Sequence, residues 1–148
     1  MSVPYAQATS GEEARNEIRK LLQKFDCASV GFMDDFRAGT LMLAFEWRGR
    51  KVQLTASAQG WAAMYLKAHP FNNRRRCTED EYRKKALDQG MIAVNSVLRD
   101  LVKGQITCVE AGMMPFDHVF LPHMVTASGE TVAELVDRRG GQFLELPE

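Results

Sequence analysis

Histidine and cysteine are scarce in this chain of 148 residues, with three of each, and most metal and nucleophile chemistry is built from them. His118 and His123 stand five apart, on different faces of any helix, where a zinc-binding H-E-x-x-H helix needs a spacing of four. His69 is remote from both, and no zinc site is expected. Cys27, Cys77 and Cys108 are odd in number, widely spaced and free of any C-x-x-C, which argues against a disulfide framework and for a reducing compartment. Cys27 and Cys108 lie among apolar neighbours and read as small buried hydrophobes. There is no G-x-S-x-G, no glycine-rich phosphate loop and no local Cys-His signature, so no motif supports nucleophilic catalysis. No run of about 18 apolar residues is present to span a bilayer. The opening MSVPYAQATSGEE lacks the basic start and apolar stretch of a signal peptide. The expectation is a cytoplasmic protein with no cofactor, no metal, no membrane contact and no catalytic residue to name.

Net charge is missing too, at +0, but the zero hides an asymmetry. Residues 1–47 carry five basic and seven acidic side chains, residues 48–103 twelve and five, and residues 104–148 two and seven, for local balances of −2, +7 and −5. A basic middle between acidic ends favours an anionic partner, because local field rather than net charge steers association. The alternative is an acidic C-terminal region folded against the basic patch, with the charges serving as a solvated face.

What is present is an ordinary globular composition, 45% hydrophobic and 26% charged. A chain of this length buries about 68–70% of its unfolded surface as one domain without staples. Residues 1–9 read as a flexible arm, residues 10–139 as one domain, and residues 140–148 as a flexible tail. Ser10-Gly-Glu-Glu13 is a capping box, followed by Ala14, Ile18, Leu21, Leu22 and Phe25 at helical spacing, which predicts a helix from Gly11 to Phe25. The period then falls from 3.6 to 2. Ala28 to Met33, Thr40 to Trp47 and Lys51 to Ala56 read as three strands, with Gly49 supplying the positive φ of a short turn. In the second, Leu41, Leu43, Phe45 and Trp47 alternate with Thr40, Met42, Ala44 and Glu46, one greasy face and one mixed.

Residues 57–78 admit either a short helix or an aromatic-bearing loop, which Pro70 and Asn72-Asn73 end. Thr78 and Glu81 form a second capping box, and apolar residues from Tyr82 to Val102 predict a long helix from about Glu79 to Lys103. Gly104 offers a hinge, Ile106 to Ala111 continue helically, and Pro115 starts a short helix with Phe116, Phe120 and Met124 on one face. Thr131 to Glu134 is a third capping box. The fold class is therefore α+β: a three-stranded antiparallel meander packed against a long central helix, with N- and C-terminal helices.

Two surfaces carry chemistry. Arg74, Arg75 and Arg76 precede the long helix and Arg83, Lys84 and Lys85 follow its start, a cationic cluster suited to phosphate, joined by Arg48, Arg50 and Lys51 of the hairpin. Trp61, Tyr65 and Phe71 can stack on exposed bases, or belong to the core. The second surface is Met113, Met114, Phe116, Phe120 and Met124, more apolar bulk than one short helix buries, which suits a protein interface or a homo-oligomer. The acidic pairs Glu12-Glu13 and Asp34-Asp35 read as helix N-terminal charge and turn chemistry, with carboxylates of a nuclease as the alternative.

From Glu13 to Val136 the chain resembles a family of small uncharacterised proteins encoded by bacteriophages and prophages. The likeness rests on EARNEIRKLLQKFDCASVGF, the strand pair LMLAFEWRGRKVQLT, the Arg-rich loop, the long helix and the ending EAGMMPFDHVFLPHMVTASGETVAELV. Members are more basic along the long helix, where Gln89 to Val97 is neutral here. The order of helix, three strands and helix is also similar to the double-stranded-RNA-binding domain, with Arg83-Lys84-Lys85-Ala86 like its lysine cluster. A comparable core occurs in phage single-strand annealing proteins. These resemblances imply an accessory protein that binds DNA or RNA in replication, recombination or anti-defence, or an interaction module that assembles with itself or inhibits a host protein.

Overall fold

The Ser10 hydroxyl accepts the Glu13 amide at 3.2 Å and opens α1, Gly11–Lys24, in the computed structural model of the chain, which describes residues 3–140. Ala14, Ile18 and Leu22, four apart, are its buried stripe. The chain reverses at Asp26, whose φ is 70°, into β1 (Ser29–Asp35), β2 (Thr40–Trp47) and β3 (Arg50–Ser57). The three pair antiparallel in the order β1-β2-β3, with Phe32 opposite Leu43 and Leu43 opposite Leu54. Register places Leu41, Leu43, Phe45, Val52 and Leu54 inward, fully buried, and leaves Thr40, Met42 and Ala44 on the other face. The architecture is α+β, as the change of period predicts. Two residues make the tight turn, since Arg48 and Gly49 both have positive φ, 49° and 80°, as a two-residue hairpin needs. Gly49 takes that conformation freely. Arg48 takes it with its guanidinium 4.5 Å from the Trp47 ring centre.

The undecided stretch after β3 is a helix, α2 (Ala58–Ala68), capped by the Ser57 hydroxyl on the Gly60 amide at 3.0 Å. The long helix α3 runs Glu79–Glu110, with the Thr78 hydroxyl accepting the Glu81 amide, about 48 Å at 1.5 Å per residue. It passes through Gly104 unbroken, so the expected hinge is absent. One interior glycine costs only about 1 kcal/mol of helix propensity, and buried Val102 and Ile106 hold the turns on either side. α4 (Phe116–Phe120) starts after Pro115, which sits at the N-cap rather than inside the helix, and a 3-10 turn, Leu121–His123, follows. Met124, expected on that helical face, is extended instead and bridges to Val52. The Val125 amide donates to the Lys51 carbonyl at 2.8 Å, so this segment covers the outer edge of β3. α5 (Val132–Arg138) carries the full reciprocal Thr131–Glu134 box. Among the described residues, the far edge of β1 pairs with no strand.

Residues 3–9, expected as a flexible arm, lie against the helices. Val3 is buried, the Trp61 indole donates to the Pro4 carbonyl at 3.0 Å, Tyr5 donates to Asp100 at 2.6 Å, and Gln89 donates to the Ala8 carbonyl at 2.8 Å. The tail expected over residues 140–148 falls, past Gly140, outside the described residues. No described helix is long and apolar enough to cross a membrane.

α2 and α3 come into close contact at Gly90, where an added Cβ would stand 2.7 Å from the Ala58 carbonyl oxygen. Gly90→Ala is expected to destabilise the fold by about 1–3 kcal/mol, overpacking outweighing the gain in helix propensity. At Gly104 nothing lies within 4 Å of such an atom, and Gly104→Ala is expected to stabilise by about 0.5–1 kcal/mol. Urea unfolding of the two variants checks the opposite signs.

Candidate nucleic-acid interface

Pro70 ends the possibility of helix after Ala68, and Asn72 folds the chain back by accepting the Arg74 amide on its side chain at 3.0 Å and the Arg75 amide on its carbonyl at 3.2 Å. The three arginines are thereby carried to the N-terminal end of α3. Arg74, Arg75, Arg76 and Lys85 line one cleft of about 460 Å³ together with Cys77 and Tyr82. The Arg75 guanidinium stands 4.3 Å from the Tyr82 ring centre, a cation–π contact that fixes it. Tyr82 is buried and donates its hydroxyl to the His69 carbonyl, which ties the end of α2 to α3. Burial raises the phenol's pKa above its ordinary value, with Arg75 opposing, so at neutral pH the hydroxyl keeps its proton and this bond.

The remaining expected cations divide. Arg83 pairs with Glu79 at 2.9 Å, one turn earlier on α3, and is partly spent. Lys84 is exposed on an adjoining face. Among the described residues, no carboxylate forms an ion pair with Arg74, Arg75, Arg76, Lys84 or Lys85. The acidic Glu79, Asp80 and Glu81 occupy the first turn of α3, where they complement the helix dipole.

The hairpin cations do not join this cluster. Arg50 pairs with Asp117, Nε 2.7 Å from a carboxylate oxygen, and Trp47 beside it stacks on Phe116 at 4.3 Å, on the side of the C-terminal end of α3. Arg48 lies over Trp47 at the same end, and Lys51 faces outward opposite Glu46 on the sheet. The hairpin group contacts the segment after α3, and the arginine group lines a cleft at the helix start. Sequence proximity on a hairpin says nothing about which end of a later helix that hairpin meets.

The expected stacking set also divides. Trp61 is only 7% exposed, with its indole nitrogen bound to Pro4, so it is core and offers no free face. Tyr65 is half-buried and stacks on Trp61 at 5.5 Å. Phe71 packs tilted against Tyr82 at 5.8 Å. Lys85, Gln89 and His69 gather around Tyr65; His69 and Gln89 carried no signal beyond their i, i+4 and i, i+7 offsets from Tyr65 and Tyr82.

The apolar surface is corrected in part. Phe116 and Phe120 are 5% and 0% exposed, Phe120 meeting Phe45 edge-on at 5.5 Å, because the turn at Gly112, φ 71°, folds α4 back under the sheet. Met124 is half-buried in its bridge to Val52. Only Met113 and Met114 of that set stay exposed. Asp34 is no turn residue: Asp35 accepts the Arg37 and Ala38 amides, while Asp34 pairs with Arg15. Cys27 is half-buried, and burial pushes its thiol up to about 11. Among the described residues, no group of three His, Cys, Asp or Glu is placed to hold a metal ion.

Comparison with protein-family models, with curated proteins and with solved structures finds no match to this chain.

Phe120→Ala is expected to cost about 3–5 kcal/mol of folding stability as a core deletion, whereas Met113→Ala should stay within about 0.5 kcal/mol as an exposed change. Denaturant melts at two protein concentrations check both, since loss of an interface rather than of the core would make the Phe120 effect concentration-dependent.

Proposed function

We propose that the protein is a phage-type accessory protein that binds nucleic acid through Arg74, Arg75, Arg76, Lys84 and Lys85, in DNA replication, recombination or counter-defence. The observation that carries this reading is the convergence of three consecutive arginines and Lys85 on one cleft, without a carboxylate partner among the described residues. Cations held at that density without ion-pair partners raise the local potential against the three carboxylates of the first turn of α3, and a polyanion that displaces their counterions gains affinity from the release. The reading assigns phosphate contact to these side chains and leaves Arg48, Arg50 and Lys51 outside it.

A second reading, a self-assembling interaction module or host-protein inhibitor, draws support from a surface other than the Met/Phe set. The unpaired edge strand β1 carries Met33, 61% exposed, and the turn that follows it carries Phe36, 81% exposed. An open strand edge with apolar side chains is a template for pairing. Under this reading sedimentation shows a dimer at tens of micromolar that Met33→Lys dissociates; a strict monomer removes it.

With about five phosphates contacted on duplex DNA, log affinity should fall against log salt with a slope near −4.5, and reversing the three arginines to glutamate should flatten it to about −2. Arg48→Glu should leave the slope unchanged. Gel shifts with duplex DNA, single-stranded DNA and RNA across a salt series measure this, and absence of binding to all three at low salt overturns the proposal.

A further inference from the structure

Behind the arginine cleft lies a cavity of about 530 Å³, within the roughly 300–1,000 Å³ that small-ligand sites occupy. Two helix faces wall it. Tyr65 on α2 and His69 at its C-cap are four residues apart; on α3, Tyr82, Lys85, Ala86 and Gln89 follow at i, i+3, i+4 and i+7. Val3, Ala6 and Gln7 of the docked N-terminal segment close it from above. Trp61, Tyr65 and His69 form a column of rings, 5.5 Å and then 4.9 Å between centres, whose buried end is Trp61 and whose cavity end is Tyr65 and His69.

Three features of this cavity select one kind of ligand. Tyr65 lies between Trp61 and His69, so the half-buried His69 ring, which ends the column, is the face a planar ring can stack on. Gln89 uses its amide nitrogen on the Ala8 carbonyl, which leaves its carbonyl oxygen to accept a hydrogen bond from a base amino group. Tyr82 and Lys85 line both this cavity and the arginine cleft, so one ligand can place a flat ring in the first and an anion in the second. We infer that the cavity takes an unpaired nucleobase whose 5′-phosphate lies in the arginine cleft. The inference rests on the phosphate-binding reading of that cleft and adds what stands next to the phosphate: a splayed-out or terminal base rather than one stacked in a duplex.

Ligand pairs that differ only in the base test it. dAMP is expected to bind on the order of tenfold tighter than 2-deoxyribose 5-phosphate, the worth of one stacked base, and to move the ring-proton resonances of Tyr65 and His69, which the sugar phosphate leaves in place. Gln7 is exposed on the rim, and Gln7→Trp, which fills the cavity mouth, should abolish the difference between the two ligands while the salt-dependent binding of duplex DNA persists. Equal affinities for the two ligands in the unaltered protein, or unmoved Tyr65 and His69 resonances at saturating dAMP, overturn the inference whether or not Gln7→Trp folds. If DNA binds while dAMP does neither, only the base site falls. If neither DNA nor dAMP binds at low salt, the phosphate reading falls with it.

Discussion

The approach of α3 to α2 at Gly90 is the contact on which the rest of the arrangement depends. The backbone of α3 comes so near the Ala58 carbonyl that no Cβ fits without displacing one of them. Ala58 is the first residue of α2 and follows directly from β3, so this single point joins the sheet to the helical layer. From it α2 runs beside α3 for its whole length, bringing Tyr65 and His69 to the face of α3 that carries Tyr82, Lys85 and Gln89. The bond from Tyr82 to the His69 carbonyl then closes the far end, and the arginine loop is held between two fixed points. A larger residue at position 90 would splay the helices where they meet and open the cavity along with them.

A second constraint is polar and sits on the other side of α3. Asn95, 3% exposed, accepts from Arg15 of α1 at 2.7 Å and donates to the Met91 carbonyl at 2.7 Å. Arg15 continues to Asp34 at the end of β1, and its guanidinium, with that of Arg19, lies over the Phe32 ring. One connected set therefore ties α1, α3 and β1. Each member leaves another unsatisfied if removed, and that penalty, more than the net worth of any single bond, is what makes such a network specify an arrangement. Gly11 is part of it, since an added Cβ there would meet the Asn95 amide at 2.8 Å.

These two constraints explain why charge gathers where it does. The covered face of the sheet is apolar and closed by α1 and α3, and Phe116 and Phe120 complete it from below. The arginine loop lies beyond that core, at the one end of α3 where α2 has already stopped. Glu79 pairs with Arg83, Asp80 and Glu81 share the first turn of α3 with it, and the loop's arginines are exposed beside Tyr82.

What followed from sequence alone was the helix starts and the strand period, which depend on near neighbours, though the local readings of Gly104 as a hinge and of Met124 as helical did not hold. The caps at Ser10, Thr78 and Thr131 start helices because a hydroxyl and an amide three residues on are adjacent in any chain that turns there. The alternation in Leu41–Trp47 sorts into buried and half-exposed faces because the strand period is two. The choice of helix over loop for Ala58–Ala68 was not read from the sequence, since beyond its Ser57 cap the segment docks on Gly90, far along the chain. The same holds for aromatic residues with two possible fates. Trp61, Phe116 and Phe120 carry no local mark of burial, and tertiary packing alone made them core and left Tyr65 at a cavity. The basic residues divided for the same reason: the hairpin and the arginine loop are both cationic in sequence, but only the path of the chain decided that the hairpin meets Phe116 and Asp117, beyond the C-terminal end of α3, while the loop stands at its N-terminal end.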